Sequence, residues 1–347
     1  MYKEEILSLK QQLGDKLLLL AHYYQHDDVY YSADVTGDSY QLAVTAAKST
    51  AKYVVMCGVS FMADTVKLLV KNGVRVFSPD MLAGCPMAAM IDEDLFRGVY
   101  GKICECTKTA PVPVLYVNST LATKAAVGEA GGLCCTSSNA KKIARQLLAE
   151  GKRLFFLPDK NLAINVAAEL GIAPNEICMV DRNSKIEDIN PDARLFVWYG
   201  FCITHRRISV DDVRAVRAKY PGAKIIAHPE CEPEVITAID YAGSTSQLLK
   251  YFMDAPSGAT IIVGTELKFV ERLPQLRSDV QVFALRQSAC VNMAQITPER
   301  LRDCLKALVA VENGQSGAAD SFETHIDNRY VQTALLTLNK MISETER

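Results

Sequence analysis

Residues 21–42 and 227–248 say nearly the same thing twice, and a chain that repeats itself is built from repeated units. Aligned at an offset of 206 without a gap, seven of twenty-two positions are identical: Ala21/Ala227, His22/His228, Val29/Val235, Asp34/Asp240, Gly37/Gly243, Gln41/Gln247 and Leu42/Leu248. Ordinary residue frequencies would give about one or two matches by chance. In both copies an apolar run (Leu17–Ala21, Ile225–Ala227) ends in a histidine, and a hydroxyl follows seventeen residues later at Ser39 or Thr245. A weaker third copy lies between them. Val114–Asn118 is an apolar run with a polar end, and Thr136–Asn139 opens an amphipathic segment, with Gly128, Gly131 and Gly132 lengthening the connection. A periodic self-similarity of this kind decides the architecture before any local propensity does.

Within each copy, strand and helix patterns alternate. Strands are expected at 16–21, 34–37, 52–58 and 74–78, at 112–118, 133–136, 153–157 and 195–199, and at 224–228, 241–243, 260–264 and 280–285. Helices are expected at 27–33, 40–51 and 62–69, at 122–126, 140–150 and 162–170, and at 234–239, 247–253 and 268–273. A helix over 2–14 precedes them, and helices over 298–311 and 329–342 follow, joined by the Gly/Ser/Ala-rich 312–321. Such alternation predicts an α/β fold of three homologous α/β/α units with parallel sheets, packed about a pseudo-threefold axis. The boundaries fall at 1–104, 105–203 and 204–293, with C-terminal helices in 294–347. Three units of roughly a hundred residues suit a chain of 347.

Composition excludes several classes. Apolar residues make up 49% and charged residues 22%, with a net charge of −2, so no basic surface argues for nucleic acid. No stretch suits export or a membrane span, which points to the cytoplasm. Eleven cysteines in such a chain read as thiols or metal ligands rather than disulfides. There is no P-loop, G-x-G-x-x-G or H-E-x-x-H.

The chemistry sits where each unit ends. The last strand of each is followed by a short loop carrying one cysteine: Cys85, Cys202 and Cys290. Ligands gather at the carboxyl ends of parallel strands, and threefold packing would bring these thiols together. Three thiolates from distant loops suit a [4Fe–4S] cluster whose fourth iron lacks a protein ligand and can act as a Lewis acid. The competing account is that they are buried like most free cysteines; Cys57, Cys134, Cys135 and Cys178 read as core, Cys104, Cys106 and Cys304 as incidental, and Cys231 as a neighbour of the site. The same strand ends carry His22 and Tyr24, Tyr116 and Asn118, and His228 and Glu230. The second strands end at Ser39, at Ser137 with Ser138, and at Ser244 with Thr245. Each of these hydroxyls could be a simple helix cap. Converging beside two histidines, they instead describe an anion-binding pocket with acid–base groups.

These residues lie in motifs that resemble the quinolinate synthase family, the A protein of bacterial NAD biosynthesis. The matching pieces are AHYYQ (21–25), GDS (37–39), FMADT (61–65), AGCPM (83–87), YVNS (116–119), CTSSNA (135–140), LPDKNL (157–162), GFCITH (200–205), HPECEPEV (228–235), GSTSQL (243–248), GTE (264–266) and C-V-N-M (290–293). The resemblance implies a triangular arrangement of three α/β/α domains around an oxygen-sensitive [4Fe–4S] cluster held by Cys85, Cys202 and Cys290. It implies condensation of iminoaspartate with dihydroxyacetone phosphate to quinolinate, with loss of phosphate and water. His22, Ser39, Tyr116, Asn118, Ser137, His228 and Thr245 match substrate-binding positions, and Tyr24 and Glu230 match acid–base positions. An aspartate oxidase or dehydrogenase would supply the imine. Departures are a longer Asn118–Ser137 connection, which leaves Ser137 and Ser138 as alternatives, Tyr30-Tyr31 after the first motif, and Leu162-Ala163. The rival readings are another cluster-dependent dehydratase of a small acid and a cluster-based sensor without turnover.

Overall fold

The computed structural model describes residues 2–347. Three parallel sheets are present. The first contains β1 (Leu17–His22), β2 (Val35–Gly37), β3 (Tyr53–Cys57) and β4 (Arg75–Phe77), ordered β2-β1-β3-β4. The second contains β5 (Val112–Tyr116), β6 (Leu133–Cys135), β7 (Leu154–Leu157), β8 (Ile177–Val180) and β9 (Leu195–Trp198), ordered β6-β5-β7-β9-β8. The third contains β10 (Lys224–Ala227), β11 (Tyr241–Ala242), β12 (Thr260–Gly264) and β13 (Gln281–Ala284), ordered β11-β10-β12-β13. Every pairing is parallel. Parallel neighbours need crossover connections, and the helices between strands supply them, covering the sheet faces. Hence β1, β3, β5, β7 and β9 read as unbroken apolar runs: β3 (YVVMC), β7 (LFFL) and β9 (LFVW) are buried at every residue.

The repeated text has a structural cause. Gly37 ends β2 and Gly243 directly follows β11, and a Cβ on either would meet the side chain of Gln41 or Gln247, one helical turn on. The glycine and glutamine are therefore kept as a pair in both copies.

Two elements go beyond the expected pattern. β8 adds an edge strand to the second sheet, pairing with β9 outside the shared four-strand order. Its four residues alternate in burial, too short a signal to separate from a loop beside Pro174. The helix Glu93–Cys106 occupies a stretch for which no element was expected. Asp92 caps it, accepting from Leu95 N, and Phe96, Val99 and Ile103 form its buried stripe. The C-terminal helices return over the earlier units. Pro298–Glu312 packs Leu301, Cys304, Leu305 and Leu308 against Ile6, Leu9 and Leu13 of the first helix. Asn328–Glu346 lies along Leu121–Glu129 so closely that a Cβ on Gly128 would collide with the Thr333 carbonyl. Cys304 is thus a core residue, not an incidental one.

Candidate functional site

A single pocket is lined by the carboxyl-terminal ends of strands from all three sheets. It gathers His22, Tyr24, Ser39, Cys85, Tyr116, Asn118, Ser137, Cys202, His228, Glu230, Thr245 and Cys290. These are the residues singled out from the sequence.

The three cysteine loops are built alike. A helix N-terminus ties each loop down two residues before the cysteine: Ser60 N donates to Ala83 O (2.8 Å), Lys160 N to Gly200 O (2.8 Å) and Leu267 N to Ser288 O (2.9 Å). Each cysteine leads into a 3-10 turn, Met87–Ala89, His205–Arg207 or Met293–Gln295. Backbone N–H groups of these turns point at the sulfurs, from Met87 and Ala88 to Cys85, from His205 to Cys202, and from Asn292 and Met293 to Cys290. In two units the capping residue of the tying helix is a carboxylate that also holds the cysteine backbone. Asp159 accepts from Leu162 N (2.7 Å) with one oxygen and from Cys202 N (3.1 Å) with the other. Glu266 accepts from Lys268 N and Phe269 N with one oxygen and from Cys290 N (3.3 Å) with the other. In the first unit Val59 stands at that place.

The donor set fits an iron–sulfur cluster. All eleven cysteines are free, and Cys85, Cys202 and Cys290 line the pocket while Cys57, Cys134, Cys135, Cys178 and Cys304 lie in the cores. Burial pushes the Cys85 thiol up to about 12 and raises Cys202 and Cys290 as well. Thiols raised in this way ionise at neutral pH only beside positive charge, which iron would supply, and N–H groups aimed at sulfur stabilise the thiolate form. Cys202 Sγ also converges with a His205 nitrogen and a Glu230 oxygen, all within 4.8 Å of one another. Cys231 stands outside the pocket lining, its Sγ against the Gly264 carbonyl.

The polar lining follows the repeat. His22 Nδ1 accepts from Tyr24 N (3.2 Å), and His228 Nδ1 accepts from Glu230 N (3.3 Å). With Nδ1 an acceptor, each neutral ring carries its proton on Nε2. Burial holds both histidines down at about 3. They are therefore neutral N–H donors at pH 7. The His228 Nε2–H points to Ser137 Oγ (3.2 Å). Ser138 turns aside to Thr136 (2.8 Å) and is not in the lining, so the pocket side of this turn is Ser137.

The helix-cap account holds for Ser244 and fails for Ser39, Ser137 and Thr245. Asp38 caps the helix Ser39–Lys48 through Gln41 N (3.0 Å), and Ser244 caps Thr245–Met253 in a capping box with Gln247. Ser39 and Thr245 are left as first helical residues facing the pocket. Ser137 lies in a turn ahead of Ala140–Ala149, held by Asn139, which accepts from Thr136 N (2.6 Å).

Glu230 is the electrostatic centre. Burial opposes its ionisation, yet His228, His205 and hydrogen bonds from His205 and Tyr116 bring its carboxyl below the ordinary range. Since burial keeps His228 neutral, that ring cannot act on Glu230 as a cation at pH 7. The direction stands on the hydrogen bonds instead, above all His205 Nδ1–H to Glu230 Oε2 at 2.6 Å. His205 Nε2 then meets Thr265 Oγ1 (2.9 Å), Thr265 meets Tyr24 OH (2.8 Å), and Tyr24 OH meets Thr245 (3.0 Å). Burial keeps the Tyr24 and Tyr116 phenols protonated. A continuous buried chain thus joins Glu230 to Tyr24. His205, Thr265, Asp159 and Glu266 all fall within motifs legible in the sequence, which by themselves assign them no role. Their signal was positional: Asp159 and Glu266 follow equivalent strands, and His205 lies one turn past Cys202.

The family model described as Quinolinate synthetase A protein matches residues 4–343. Curated relatives include the quinolinate synthase of Lysinibacillus sphaericus, 36% identical over 347 residues (98% of this chain and 93% of that protein). Those of Bacillus cytotoxicus and Bacillus cereus are each 36% identical over 346 residues, covering 98% of this chain and 92% of the relative.

Proposed function

The chain belongs to the quinolinate synthetase A protein family, and we propose on that premise that it condenses iminoaspartate with dihydroxyacetone phosphate to quinolinate, releasing phosphate and water. As a quinolinate synthase it is an enzyme of NAD biosynthesis. The observation that carries the reaction is the single pocket in which three free cysteines meet neutral histidines, a carboxylate and helix N-termini. Cys85, Cys202 and Cys290 would hold a [4Fe–4S] cluster, which supplies Lewis acidity when bound.

The remaining chemistry belongs to the chain. Ser39 and Thr245 begin helices whose first N–H groups carry positive potential, and with Ser137 they bind the phosphate and carboxylates. The Nε2–H groups of His22 and His228 donate to substrate oxygens without adding charge. Tyr116 and Asn118 orient the substrate between the first and second units. Glu230 accepts a proton from carbon or oxygen, and Tyr24 delivers one to a leaving group, with His205 and Thr265 between them. Buried walls keep bulk water from reactive imine and enol carbons.

The eleven free thiols support a reducing compartment, the cytoplasm, and no helix among the described residues is long and apolar enough to cross a membrane. An aspartate oxidase or dehydrogenase supplies the unstable imine. The test is quinolinate formation by anaerobically purified protein from both substrates, with iron and sulfide assayed on the same sample. Product with about four irons per chain is expected. A full cluster without product would leave another cluster-dependent dehydration, and absence of both would return the cysteines to the core.

A further inference from the structure

Three pocket side chains, Tyr24, Asn118 and Glu230, occupy the same position in the three units, two residues past the end of the first strand's histidine or tyrosine. Around each, the carbonyls immediately before and after are both taken by one buried side chain from a helix. Arg272 donates through Nη1 to Tyr23 O (2.8 Å) and through Nη2 to Gln25 O (2.5 Å). Lys124 Nζ donates to Val117 O (2.9 Å) and Ser119 O (2.6 Å). Asn165 Nδ2 donates to Pro229 O (2.8 Å) and Cys231 O (3.0 Å). The three donors are 2%, 0% and 4% exposed.

Two of the donors share a register. Asn165 and Arg272 each stand six residues after the capping carboxylate of their helix, Asp159 or Glu266. Each reaches out of its own unit, from the second to the third and from the third to the first. Six residues after Val59 the first unit has Thr65, which borders the same small cavity as Val117. Its hydroxyl turns back on Phe61 O (2.7 Å), too short for the neighbouring loop. Lys124, from the second unit's own helix Leu121–Glu129, makes the grip there instead.

We propose that Arg272, Lys124 and Asn165 are positioning residues, each fixing the backbone on both sides of one pocket side chain so that packing between units sets where Tyr24, Asn118 and Glu230 stand. The grip is independent of the reaction; its effect on turnover rests on the acid–base reading above. Losing a buried donor leaves two carbonyls unsatisfied, and a displacement of about 1 Å in a reacting group can cost a hundredfold in rate.

The test uses Asn165→Leu and Lys124→Met, which remove donors at nearly constant volume. In metal-free protein, backbone hydrogen exchange at Glu230 and Cys231 should quicken at least about tenfold in Asn165→Leu, the factor for one lost bond of about 1.4 kcal/mol. Exchange in the 23–25 loop should stay as it was. In iron-loaded protein kcat should fall up to about a hundredfold while KM for both substrates changes little. Lys124→Arg, which keeps donors, should restore what Lys124→Met loses. Unchanged exchange at the gripped loop, equal loosening of all three loops, or full kcat despite faster exchange would overturn the proposal. Should the unmodified protein make no quinolinate, the reading of function fails while the exchange pattern still decides the grip.

Discussion

At the residue scale, the recurring device is a histidine whose Nδ1 is occupied by the N–H two residues on. His22 and His228 share it, and burial keeps both neutral. A histidine held at about 3 when folded but near 6.5 when unfolded favours folding fully above pH 6.5. That contribution is lost as pH falls from 6.5 toward 3. Carboxylates that are depressed on folding, such as Asp240 and Glu323, stabilise fully above their unfolded values and change stability with pH only below them. Glu266, raised by burial to about 7, works in the opposite sense, so the readout is a difference between proteins. Between pH 7 and 5 the melting temperature of metal-free His22→Gln should drop less than that of the unmodified protein. Glu230→Gln tests the chemistry. It should lower quinolinate formation by roughly 10²–10⁴-fold with iron content unchanged; undiminished turnover would remove Glu230 from acid–base work. The histidines and Glu230 were legible because the repeat pairs them. His205 and Thr265 were not, since nothing in the first unit matches them and only folding brings residues 24, 205 and 265 together.

At the element scale, one capping carboxylate serves two masters. Asp159 spends one oxygen on its helix and the other on the Cys202 backbone. An amide has a single acceptor oxygen, so Asp159→Asn can keep the cap only by releasing Cys202. The variant should fold but lose iron to a chelator roughly tenfold faster, whereas Asp92→Asn, a cap that holds only its own helix through Leu95 N, should not. Equal rates in both would make the second bond irrelevant to the site. The glycine under the C-terminal helix makes a steric prediction. Gly128→Ala forces Asn328–Glu346 off its bed against the Thr333 carbonyl, costing about 1–3 kcal/mol, read as a lowered melting temperature in metal-free protein. Strand and helix alternation was readable because crossover helices and doubly buried strands have different periods. β8 and Glu93–Cys106 were not resolved, one because four residues carry little periodicity, the other because its stripe of three apolar residues sits among charged and small ones.

At the scale of the whole molecule, the site exists only as an agreement between three units. Its sulfurs come from positions 85, 202 and 290, and side chains such as Arg272 and Asn165 cross from one unit to steady the loop of another. Ser246 Oγ donates to Asp38 Oδ2 at 2.7 Å, tying the first turn of a third-unit helix to a helix cap of the first unit. A cluster bound at the centre would favour the assembled state alone, so iron-loaded protein should melt above metal-free protein. Cys85→Ser should erase that difference, while Cys304→Ser, in the core, should lower both forms alike. The sequence by itself determined the units, their parallel α/β character, the three cysteine loops and the polar residues at the strand ends. Those follow from local periodicity and from a repeat that each unit must satisfy within its own hundred residues. Only the tertiary structure decided which hydroxyl of a pair faces inward, that Asp38 and Ser244 do the capping, and that buried donors, two of them from neighbouring units, hold the loops of Tyr24, Asn118 and Glu230. Those depend on which groups meet in a dry interior, where an unpaired carbonyl is costly and each polar group must find a partner.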